Sequence, residues 1–98
     1  MIFDWDPNKD TENQRKHGVS FADASTAFSD DYNIVLPDEE HSTDDEDRFT
    51  LLGLAASLRV LVVCHCRRGH DDGIVRIISA WRANKRQQAT YSRCRGRG

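Results

Sequence analysis

Arg59-Val60-Leu61-Val62-Val63-Cys64-His65-Cys66-Arg67, the polar turn Gly69–Gly73, and Ile74-Val75-Arg76-Ile77-Ile78-Ser79-Ala80 read as two β-strands joined by a glycine-bounded turn. Both runs are rich in Val and Ile and too short for a membrane span, and Arg59 and His65 interrupt the first. Strict alternation puts Val60, Val62, Cys64 and Cys66 on one side of the first strand, and Leu61, Val63, His65 and Arg67 on the other. In the second, Arg76, Ile78, Ala80 and Arg82 oppose Val75, Ile77, Ser79 and Trp81. The register between the strands is open, and with it which polar set joins His65 and Arg67.

Upstream of this pair, residues 1–5 form a short strand and Asp6-Pro7 opens a helix, Pro7–His17, closed by Gly18. That helix carries no large apolar residue, so it is expected over a polar surface or against another chain. Ser20 and Asp23 have capping-box spacing, and Phe21, Ala24 and Phe28 give the second helix one apolar face. Tyr32–Leu36 is a strand stopped by Pro37. Asp38–Asp47 is an acidic loop with seven carboxylates, expected to self-repel and stay mobile. Phe49–Ala55 is another strand, Asn84–Tyr91 a last helix, and Ser92–Gly98 a disordered Arg/Gly tail. The order is β-α-α-β-β-β-β-α, an α+β fold with two N-terminal helices packed on an antiparallel sheet. Residues 1–91 form one domain.

The 98 residues divide sharply in charge: residues 1–50 hold four basic against fourteen acidic groups, residues 51–98 ten against two. Arginines around apolar strands suggest a sheet displaying guanidinium groups to a polyanion, RNA first; a solvated face matched to the acidic half is the other reading. If RNA is cleaved, its 2′-hydroxyl attacks the adjacent phosphorus, and a base, cations and an acid assist. His65, the only strand histidine, is the acid/base candidate, against a buried imidazole bonded to backbone. Arg67, Arg76 and Arg82 are expected to bind phosphate, while Arg59 and Arg86 are expected to be solvated. Lys9, Asn13 and His17 share a helix face that could flank the site. His17 otherwise reads as a helix-end cation and His41 as solvent-exposed. Cys64-His65-Cys66 lacks zinc-site spacing, and no metal or other cofactor is expected. The cysteines read as reduced thiols, and the start of the chain shows no signal-peptide pattern, so a cytoplasmic, membrane-free protein is expected.

Three ordered segments resemble the BrnT family of bacterial toxins: Phe3-Asp4-Trp5-Asp6 with Lys9 and Asn13; Lys16-His17-Gly18-Val19-Ser20-Phe21 with Ala24; and Arg76-Ile77-Ile78-Ser79-Ala80 with Ala83 and Tyr91. Glu46-Asp47-Arg48, Gly53 and Arg59–Val63 fall where that family has its middle strands. The resemblance implies a RelE-like fold and a metal-independent endoribonuclease that arrests translation. It also implies a BrnA-type antitoxin with a ribbon-helix-helix region, through which operator DNA is bound. On this basis the expected catalytic set is His65, Arg67, Arg76 and Ser79, with Arg48, Arg68, Trp81, Arg82 and Lys85 in contact with RNA. Two positions depart from the family pattern: Trp81 stands where an arginine is usual, and Gln87 where a glutamate is. The first suggests the alternative of an attenuated toxin fold that binds antitoxin or RNA without cutting, with Arg82 turned to the opposite face and unable to replace the arginine simply. Stacking of Trp81 on a base is the other possibility.

Overall fold

The computed structural model describes residues 1–44 and 46–97, without the side chain of residue 97. The chain runs β1 (Ile2–Asp4), α1 (Pro7–His17), α2 (Phe21–Thr26), a 3₁₀ turn (Ala27–Ser29), β2 (Ile34–Pro37), β3 (Arg48–Leu54), β4 (Val60–Arg68), a second 3₁₀ turn (His70–Asp72), β5 (Ile74–Arg82) and α3 (Lys85–Arg97). One five-stranded sheet has the order β1-β5-β4-β3-β2. Strands β2 to β5 form the antiparallel meander, but β1 lies parallel to β5, so the sheet is mixed rather than wholly antiparallel. The reason is the crossover: α1 and α2 carry the chain from β1 across one face of the sheet, and β1 adds beside the last strand. Phe3 then reaches the core and meets Phe28 edge-to-face at 5.2 Å.

The helices start where the side chains cap them. Asp6 Oδ1 accepts from the N–H of Asn8, and Ser20 Oγ from that of Asp23. Gly18, at φ 67°, takes the left-handed conformation that ends α1. Asp23 does not return its carboxylate to its own cap. It accepts from Ser57 Oγ and from Arg59, whose guanidinium also donates to the Gly18 carbonyl, so Arg59 is a structural tie and not a solvated charge. At α3, Asn84 and Gln87 cap each other reciprocally: each side-chain oxygen accepts from the other's N–H. Gln87 therefore performs a capping role that needs no charge.

Helix α3 continues through the segment expected as a disordered tail. Tyr91, 2% exposed, donates its hydroxyl to Asp30 at 2.5 Å, and one turn on Arg95 lies over the Tyr32 ring at 5.7 Å. These two contacts hold the last turns; residue 98 of the expected tail lies outside the described residues.

The core lies between the sheet and α1/α2, built from Val19, Phe21, Ala24, Leu51, Leu61, Val63, Val75, Ile77 and Ala80. Gly53 lets the Ala27–Ser29 turn approach β3, since a Cβ there would sit 2.9 Å from the Ala27 carbonyl oxygen. His65 belongs to this core. It is fully buried between Phe28 (4.8 Å, edge-to-face) and Phe49 (5.9 Å, stacked), with Nδ1–H donating to the Val63 carbonyl at 3.2 Å. Its Nε2 has no hydrogen-bond partner among the described residues.

The polar helix α1 is held by one buried residue. Asn13 donates from Nδ2 to the carbonyls of Val19 and Ala80, both at 2.8 Å, and accepts at Oδ1 from the Ala80 N–H at 3.1 Å. Strand β1 covers the edge of β5 only from Ile74 to Arg76. Beyond it, the Asn13 carboxamide takes both backbone groups of Ala80, as a neighbouring strand would.

Asn13→Ala is expected to destabilise the protein by about 2–4 kcal/mol, because it orphans buried backbone groups on two segments; urea unfolding measures this. For His65, burial disfavours the imidazolium and lowers its pKa from the ordinary 6.5, with Arg67 adding to the effect and the Val63 hydrogen bond opposing it. The unfolded chain therefore takes up this proton first. Stability is expected to be whole above about pH 6.5 and to fall as pH drops below it toward the folded pKa. His65→Leu should flatten the unfolding midpoint over that range.

Candidate functional site

The register between β4 and β5 decides which side chains share the face opposite α1 and α2. Cys64 pairs with Ser79, but His65 pairs with Ile77, leaving Ile78 as an extra residue in β5. This bulge breaks the alternation. Ile77 and Ala80 both face the core, while Ile78 and Ser79 both turn outward, followed by Trp81. Ser79 and Trp81 thus lie on the same side as Arg76, where strict alternation separates them.

Around this outer floor stand two rims. On one, the end of α1 brings Lys16 and His17 against Ser79, Trp81 and Arg82, with the His17 and Trp81 rings 6.1 Å apart. On the other, the β2–β3 loop brings Asp38 and His41 to a cleft floored by Arg48, Cys64, Ile78, Ser79 and Trp81. Helix α3 covers only the far end of this face, where Gln87 and Thr90 line a groove with Ile34, Leu36, Thr50, Leu52 and Val62.

Specific bonds tie the ends of the acidic loop to β3. Asp38 N–H donates to the Arg48 carbonyl (2.8 Å), Ser42 Oγ donates to the Asp38 carbonyl (2.7 Å), and Arg48 N–H donates to Ser42 Oγ (2.9 Å). Glu46 joins two strands, accepting from Arg48 Nε at 3.2 Å and from Arg68 at 3.1 Å. Burial pushes the Glu46 carboxyl up, but these two guanidinium groups outweigh it and hold the pKa below the usual value. The imidazole of His41 meets Asp38 through Nδ1, at 3.1 and 3.0 Å from its two carboxylate oxygens.

Against these positions the expected site divides. Arg48, Ser79 and Trp81 line the clefts of the outer face. Arg82, the last residue of β5, pairs with the core residue Leu61 and so lies on the strand face opposite Trp81, while also bordering the cleft of Lys16, His17 and Trp81 at the sheet end. Arg68 sits at the end of β4, tied to Glu46. Arg76 is on the outer face but paired with Asp4 at 2.5 Å. Arg67 is exposed on the helix side, beyond the core, near Phe49 and Asp72. Lys85 is exposed at the start of α3 and borders none of these clefts. His65 is sealed beneath the helices. The expected convergence of His65, Arg67 and Arg76 therefore does not occur: the first two face the helix side, and only Arg76 faces out.

Two residues weighed otherwise in the sequence take up the site. The Lys9–Asn13–His17 face carried a signal for His17, since its middle member buries itself against β5 and brings the helix end beside Trp81. For His41 the only local hint is an aspartate three residues earlier, a spacing that a turn can close. Among the described residues, no group of three or more His, Cys, Asp and Glu side chains is placed to hold a metal ion, and no helix is long and apolar enough to cross a membrane. The arrangement offers cations for phosphate, an aromatic ring for a base, and two imidazoles for proton transfer.

Comparison with known proteins adds to this geometry. No curated protein matches the chain. Among solved structures, the 1.1 Å crystal structure of the Brucella abortus ribonuclease toxin BrnT is similar, with a TM-score of 0.63 and 25% identity, covering 87% of this chain and all of that one. The family model described as the ribonuclease toxin BrnT of type II toxin–antitoxin systems matches residues 5–87. Running from just after β1 to the first turn of α3, that match takes in β2 to β5 and both rims of the outer face, and the chain belongs to the BrnT family of ribonuclease toxins.

Proposed function

We propose that this protein is a metal-independent endoribonuclease that cuts RNA on the outer face of its sheet and thereby inhibits translation. The observation that carries the reading is the placement of Arg48, Ser79 and Trp81 on one face between the imidazoles of His17 and His41, with Arg82 bordering that face at the sheet end. A phosphodiester seated there meets guanidinium groups able to bind the dianion that develops as the 2′-oxygen attacks phosphorus. Arg82 makes no ion pair among the described residues, so it is available to a phosphate, whereas Arg48 and Arg68 share the single carboxylate of Glu46. Ser79 adds a hydroxyl at the centre of the floor, and the Trp81 ring gives a neighbouring base a surface to stack on. RelE-like chemistry of this kind needs only the 2′-hydroxyl, a proton acceptor, a proton donor and fixed positive charge.

The partner is a BrnA-type antitoxin whose ribbon-helix-helix region carries the pair to operator DNA. An antitoxin that lays acidic or helical segments on these arginines would exclude RNA from the same face. The second reading, a toxin fold that binds without cutting, is favoured by one feature: the centre of the floor holds the rings and chains of Trp81 and Ile78 in place of a further cation.

Purified protein is expected to cleave RNA in EDTA. Arg82→Ala should slow cleavage by roughly 10–100-fold, and Trp81→Ala should weaken RNA binding by about 1–3 kcal/mol. Lys85→Ala should leave both within about twofold of wild type, since surface changes away from a site have small effects. Cleavage abolished by EDTA would reject the metal-independent mechanism. A silent wild type made active by Trp81→Arg would establish the second reading.

A further inference from the structure

We propose that His41, oriented by Asp38, is the base that removes the proton from the RNA 2′-hydroxyl. This rests on the ribonuclease reading above and deepens it.

The β2–β3 loop holds the pair in position. Its backbone is fixed by the Asp38–Arg48 and Ser42 hydrogen bonds, so the turn carrying Asp38 and His41 is anchored directly to β3. Asp38 uses its N–H and its carbonyl for that anchorage, which leaves its side chain to His41 alone among the described residues. The two side chains differ in exposure: Asp38 is 18% exposed and His41 62%. A largely covered carboxylate thus holds an accessible ring.

The chemistry follows from which nitrogen is engaged. A carboxylate on Nδ1 selects the tautomer with hydrogen at Nδ1, leaving the Nε2 lone pair to accept a proton, and then stabilises the imidazolium that forms. The ring borders the cleft floored by Ser79, Trp81 and Arg48, where the phosphodiester is placed. In the step itself, the 2′-O–H proton passes to Nε2, the 2′-oxygen bonds to phosphorus, and the bond from phosphorus to the 5′-oxygen breaks. That 5′-oxygen takes a proton from solvent, to which the His41 imidazolium then returns one, and the products are a 2′,3′-cyclic phosphate and a 5′-hydroxyl. Neither water nor any oxidant is consumed. The charged and titratable groups facing His41 are Asp38 in its own turn, Arg48 on β3 and Cys64 on β4, with His17 of α1 across Trp81. Glu39, Glu40 and Asp44 of the same loop are exposed.

The test uses the full chain under single-turnover conditions, with RNA affinity measured separately. His41→Ala is expected to lower the rate at saturating RNA by about 100-fold or more, to keep affinity within about threefold, and to remove the acidic limb of the pH–rate profile. Asp38→Asn, a positioning change that keeps the turn, should lower the rate by roughly tenfold and move that limb. His70→Ala, on the distant turn, should behave as wild type. An RNA with a bridging 5′-sulfur at its mapped cut site, whose leaving group needs no acid, should show the same loss with His41→Ala. The proposal is overturned if His41→Ala cleaves within about threefold of wild type, if only affinity falls, or if the sulfur substrate restores the rate and so makes His41 the acid. A wild type that does not cleave fails differently, because it removes the ribonuclease reading itself.

Discussion

Asn13 supplies three hydrogen bonds to segments that would otherwise be left with bare backbone, and the geometry of the molecule depends on them. Its carboxamide takes the N–H and C=O of Ala80 and the carbonyl of Val19. Strand β1 is too short to cover β5 along its length, and α1 is too polar to be held by burial of an apolar face. One side chain solves both problems. It completes the sheet edge and ties the end of α1 to the residue between Ser79 and Trp81. One turn beyond Asn13, the imidazole of His17 lies 6.1 Å from the indole of Trp81.

The bulge at Ile78 works with this clamp. A single extra residue changes the side to which every later residue of β5 points. Ala80, next in the core after the bulge, is the residue Asn13 holds, so the break in register is fixed by hydrogen bonds as well as by packing. Its consequence is chemical: Ser79 and Trp81 join the face of Cys64 and Arg76, and a polar floor exists where regular pleating would have divided those groups between core and solvent.

The division of charge between the two halves of the chain is used locally. Acidic groups from the first half return to arginines of the second: Asp4 to Arg76, Asp23 to Arg59, and Glu46 to Arg68. These pairs neutralise part of the basic sheet and pin its edges. In the β2–β3 loop, serine and backbone groups tie the ends of the acidic run, and Arg48 and Arg68 meet Glu46. What remains at the site is a modest excess of positive charge around two imidazoles.

Local chemistry alone was sufficient for much of the fold. The caps at Asp6 and Ser20, the stop at Gly18, the Val/Ile runs of β4 and β5 and the polar turn between them are all set by residues within a few positions of each other, and the ordered segments shared with the BrnT family could be read in the same way. The parallel pairing of β1, the helical end of α3 and the site were not legible. Each depends on contacts between distant segments: Phe3 with Phe28, Tyr91 with Asp30, Asn13 with Ala80. Alternation placed His65 correctly with Leu61 and Val63, but whether that face met helices or water is a tertiary matter, and Phe28 and Phe49 enclose it. Sequence thus determined which elements form and which charges they carry. Only the folded chain decided which side chains meet, because one bulge and one buried amide set the register and the helix position for the whole outer face.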